Sequence, residues 1–118
     1  MPDPYSISAE VRFLDIDQVL RDLRAAAAEA KRAHPEIANV YLFGSLVKGN
    51  WTAASDADII VVVRREFPDL LQGRGTYQIF APSIPTDTLV YSEDEFDQLR
   101  ADPSSLVAQE FASMIELP

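Results

Sequence analysis

The stretch FGSLVKGNWTAASDADIIVVV, residues 43–63, decides the fold. It closes on ADIIVVV, which is β-branched almost throughout and apolar at both parities, the pattern of a strand covered on both faces. Asp56 and Asp58 stand at the mouth of that strand, separated by Ala57. An ionised carboxylate is costly to bury unless it is paired or bound to a metal. The pair therefore marks either a wet strand end or a site, and its chemistry favours a site. As residues i and i+2 of one strand, both carboxylates leave the same face, with Cβ atoms about 6.5–7 Å apart at roughly 3.3 Å per residue. Two hard divalent ions about 3.5–4 Å apart serve in-line displacement at phosphorus. Magnesium suits such a pair, because it takes carboxylate oxygens and keeps phosphate oxygens and waters as its other ligands.

Working outward from the aspartates, the run NVYLF ends on Gly44-Ser45 and reads as a second buried strand. A glycine lets backbone approach a ligand closely. If Ser45 to Val47 open a helical turn, the free N–H groups there bind phosphate, Ser45 adds a hydroxyl, and Lys48 reaches the same phosphates as a point charge. Further on, TDTLVYS is a third strand; if it pairs with the second, Asp87 joins the cluster from about 4.8 Å away. Asp87 could also accept the proton of an attacking hydroxyl.

Helices fill the remainder. Asp15 caps the first, Gln18 holds the capping-box position, and Ile16, Val19, Leu20, Leu23, Ala27 and Ala30 recur at helical spacing until Pro35 ends it near Ala33. Ser92 and Glu95 form a second capping-box pair ahead of EFDQLR, and LVAQEF begins a further helix, while SMIEL suits a short extended edge. The segment EFPDLLQGRGTYQIF mixes helical spacing with Gly73 and Gly75 and stays ambiguous. The expected fold is α/β or α+β: residues 1–118 as one domain, a small mixed sheet with helices on at least one face.

Composition narrows the function. With no cysteine among 118 residues there is neither a disulfide framework nor a thiolate metal site. The N-terminal MPDPYSISAE has neither a basic nor an apolar leader region, and the longest apolar run, Ile59 to Val63, is too short to cross a bilayer; a cytoplasmic location is expected. A net charge of −9 argues against free nucleic acid as a partner. Glu93, Asp94, Glu95, Asp97 and Asp102 form either a solvated helix face or a docking surface for a basic protein. His34 reads as a helix-end residue, Trp51 as loop packing or a stacking surface for a base, and Arg64 and Arg65 as surface charges.

The order Gly-Ser, a Gly-containing loop, Ser-Asp-x-Asp and an apolar strand resembles the signature of the polymerase-beta-like nucleotidyltransferase superfamily. Within it the chain is most similar to the minimal nucleotidyltransferases, short prokaryotic proteins commonly encoded beside a helical HEPN-type partner. The resemblance implies that Gly44 and Ser45 form the phosphate-binding turn, Asp56 and Asp58 the metal-binding pair, and Asp87 the third acid. Lys48-Gly49 stands where many relatives carry Arg-Gly, which keeps the charge and loses the bidentate fork. It further implies two Mg²⁺ ions, ATP or another NTP as donor, and a partner protein as acceptor, with neutralisation of a toxin RNase as the outcome. Two other functions fit the same residues: a binding module that sequesters its partner without catalysis, and a homodimer that modifies a small molecule.

Overall fold

The computed structural model describes residues 15–64 and 75–118. Its elements in chain order are α1 (Ile16–Ala33), β1 (Ile37–Phe43), the single turn α2 (Ser45–Lys48), β2 (Ala57–Val63), β3 (Thr86–Ser92), α3 (Glu93–Ala101), α4 (Leu106–Glu110), a 3₁₀ turn (Phe111–Ser113) and β4 (Ile115–Glu116). Most of the ambiguous segment, residues 65–74 with Arg65, lies outside the described residues.

The four strands form one mixed sheet in the order β3-β2-β1-β4. β1 runs antiparallel to β2 and to β4, whereas β2 and β3 are parallel. Apolar residues at both parities of β1 and β2 have their expected cause, since each face of the sheet carries its own cluster. On one face Val40, Leu42, Ile59, Val61, Val63 and Val90 pack with Val19, Leu23 and Ala27 of α1. On the other, Phe43, Ile60 and Val62 pack with Phe96 of α3 and Val107 of α4. Helices thus cover both faces. Alternation along a strand carries the same message: Ala57, Ile59, Val61 and Val63 belong to the α1 side, and Ile60 and Val62 to the side of α3 and α4.

Local signals set the helix ends. Asp15 caps α1 by accepting the Gln18 N–H at 3.2 Å. The reciprocal half of a capping box is not made. Gln18 Nε2 instead donates to Asp22 Oδ1 at 2.8 Å, and Arg21 donates to Gln18 Oε1 at 3.0 Å, so i+3 and i+4 neighbours outcompete the cap. At α3 the box is complete, with Glu95 N–H donating to Ser92 Oγ and Ser92 N–H donating to Glu95 Oε1. Within SMIEL, Ser113 closes the 3₁₀ turn and Ile115–Glu116 form the expected short edge strand; Leu117 is fully buried and its N–H donates to Val40 O at 2.8 Å.

Candidate active site

The antiparallel register of β1 and β2 sets Phe43 opposite Asp58, and the parallel register of β2 and β3 sets Asp58 beside Asp87. Strand alternation puts Asp58 on the same face as Ile60 and Val62, and Asp87 on the face of its own i+2 neighbour Leu89. The chain leaves β1 through Gly44, directly against Asp58.

Gly44 has φ +83° and ψ −152°, a conformation that side chains other than hydrogen rarely tolerate. Space imposes the same identity, because a Cβ built there would lie 2.3 Å from Asp58 Oδ2. The turn therefore brings backbone within touching distance of the carboxylate. α2 follows at once, with Val47 and Lys48 N–H groups both donating to Gly44 O at 3.1 Å and no side chain capping its start. The first N–H groups of such a turn have no partner within it. Ser45 Oγ donates to Ser55 Oγ at 3.4 Å, and Ser55 Oγ accepts the Thr52 N–H at 2.8 Å, so the loop before the aspartates holds the serine of the turn.

Two residues stand elsewhere than the sequence suggests. Asp56 is outside the strand, which begins at Ala57 where that N–H donates to Pro85 O at 2.9 Å; Asp56 is exposed. The i, i+2 spacing within one strand therefore does not apply to it, although its charge still reaches Asp58. Lys48 is in an ion pair, with Nζ donating to Glu110 Oε1 at 2.7 Å. Glu110 escaped sequence reading. The signal that could have found it is its phase, one helical turn after buried Val107 and beside partly buried Phe111.

Electrostatics reflect the crowding of acids. The Asp58 carboxyl is pushed above its ordinary range, first by burial and then by the charges of Asp87, Asp56 and Glu110. Among the described residues no three acidic or histidine side chains are gathered into a ready metal cage. Adjacent Asp58 and Asp87 still suit a hard cation such as magnesium, which binds through one or two carboxylates and completes its shell with phosphate oxygens and water.

Of the other residues noted in the sequence, Trp51 is half-buried and packs against the α1-side cluster. His34 donates its backbone N–H to Ala30 O at 2.8 Å, and its ring meets Tyr77 edge-on with centroids 5.2 Å apart. Arg64 is exposed and bonds Pro35 O at 3.2 Å.

Comparison with known proteins gives the family. Residues 23–113 match the family described as nucleotidyltransferase domain. The chain belongs to the nucleotidyltransferase-domain family. Its matched region runs from α1 through the 3₁₀ turn and so contains every element of the site. A crystal structure from Sulfolobus solfataricus, named for a nucleotidyltransferase, is similar over 84% of this chain and 80% of its own, with a TM-score of 0.61 and 19% identity. At that identity the likeness concerns the nucleotidyltransferase fold alone. No curated protein gives a significant match.

Proposed function

We propose that this nucleotidyltransferase-domain protein transfers NMP, AMP foremost, from a nucleoside triphosphate to a hydroxyl on a partner protein, with Mg²⁺ as cofactor. The observation that carries the proposal is the register that sets Asp58 beside Asp87 with Gly44 against Asp58. Asp56, Asp58 and Asp87 would hold two Mg²⁺ ions, whose chemistry is to neutralise charge on the phosphates and at the leaving pyrophosphate. The turn at Gly44, the Ser45 hydroxyl and Lys48 bind and orient the triphosphate. The acceptor oxygen forms a bond to the α-phosphorus, the bond from that phosphorus to the bridging oxygen breaks, pyrophosphate departs with the electron pair, and Asp87 takes the hydroxyl proton.

The exposed Glu93 and Asp94 in the first turn of α3 support a basic partner. By resemblance to minimal nucleotidyltransferases, that partner is a HEPN-type toxin. The test is incubation with labelled ATP, Mg²⁺ and the product of the neighbouring gene. Label is expected on the partner and absent with Asp56→Asn/Asp58→Asn; transfer that survives those substitutions removes the catalytic assignment. Tight complex formation without transfer identifies a sequestering module, and transfer to a small hydroxyl compound by a sedimenting homodimer identifies the third function.

A further inference from the structure

Glu110 is an acid at a helical phase otherwise given to apolar contacts. Its side chain is 15% exposed, Oε1 accepts from Lys48, and Oε2 is buried with no hydrogen-bond partner. A buried carboxylate left without compensation is strongly unfavourable. Among the described residues the compensation given to Glu110 is a single ammonium, and Lys48 is 45% exposed and belongs to the turn that begins at Ser45. One lysine thus has two claimants: an inner carboxylate that already holds it, and the triphosphate assigned to the adjoining turn.

We propose that Glu110 determines specificity for the metal-bound form of the nucleotide, because it holds Lys48 in competition with a triphosphate. Release of Lys48 to the triphosphate is favourable when a divalent cation enters with the nucleotide and restores positive charge near the abandoned carboxylate. Metal-free ATP brings only negative charge to a site where the charges of Asp87, Asp56 and Glu110 already act on Asp58. The ion pair then holds Lys48 back. The inference rests on the proposed nucleotide-binding role of the site.

Calorimetric titration with ATP, in Mg²⁺ and separately in EDTA, tests it on wild type, Glu110→Gln, Lys48→Met and the double variant. Glu110→Gln is expected to bind metal-free ATP about tenfold more tightly, about 1.4 kcal/mol, while binding of the Mg²⁺ complex changes by less than about threefold. In the Lys48→Met background the same substitution should leave the ratio of the two affinities unchanged. An unaltered ratio in Glu110→Gln, or an equal effect without Lys48, overturns the inference and leaves the nucleotide site standing. Wild type that binds neither form of ATP overturns the functional proposal and this inference together. A second measurement requires no variant: the carboxyl ¹³C signal of Glu110 in labelled wild type should move with Mg²⁺ and ATP, and an equal movement with ATP in EDTA also overturns it.

Discussion

Gly44 is held to its identity by two independent constraints, a backbone conformation closed to side chains and an Asp58 oxygen in the place of any Cβ. Gly44→Ala should cost roughly 1–3 kcal/mol in thermal or urea unfolding. It should also lower transfer activity more than that loss explains, because relief of the clash moves Asp58. For Asp58 the sign of the pH dependence is fixed. Its ordinary value is 3.8 and the folded value is higher, so its ionisation opposes folding as pH climbs from 3.8 through the raised value. The opposition is complete above that value and absent below 3.8. Asp58→Asn should therefore raise Tm at pH 7 while abolishing transfer, and the gain should fade as the melts are taken to acid pH. These residues were legible in the sequence because their types are unusual where they stand: a glycine ending an apolar run, aspartates opening buried strands. Glu110 was not, since its partner lies 62 positions away and the pair exists only once α2 and α4 are brought together.

Caps show where local sequence is and is not decisive. Ser92 and Glu95 satisfy each other at the start of α3, and Ser92→Ala should destabilise by about 1 kcal/mol, measured by urea unfolding. Gln18 occupies the equivalent position in α1 but spends its amide on Asp22 and Arg21, so Gln18→Ala should fall within about 0.5 kcal/mol of wild type. Position alone could not separate the two cases, because the outcome depends on which side-chain neighbours compete. Strand identity was clear from β-branched runs with both parities apolar. The start of β2 at Ala57 was equally clear, whereas the assignment of Asp56 to the same strand was not correct, since Asp56 precedes the first paired residue.

Across the whole molecule, the two-residue strand β4 joins sheet to helix. Leu117 is fully buried in the α1-side cluster, its N–H donates to Val40, and its carbonyl accepts from Lys31 Nζ at 2.7 Å. Leu117→Ala should cost about 2–5 kcal/mol, a loss read from the urea midpoint. Mixed strand direction and strand order are properties of this scale. Apolar runs announce strands but do not say which neighbours pair or in which sense, so the meeting of Asp58 and Asp87 was conditional until the sheet was seen. No described helix is long and apolar enough to cross a membrane.

The parallel pairing of β2 and β3 also has a consequence in time. Residues 44–56 separate β1 from β2 in the chain, whereas the longer stretch 64–85 separates β2 from β3. Longer closures cost more chain entropy and delay the contacts that reward them. The chain should fold with β1 and β2 zipped early and β3 added late. Val61→Ala should then slow refolding and Val90→Ala mainly hasten unfolding in stopped-flow chevrons, the reverse order refuting it. A half-folded molecule would display Gly44 and Asp58 together without Asp87, so competence for chemistry would arrive only with the last strand.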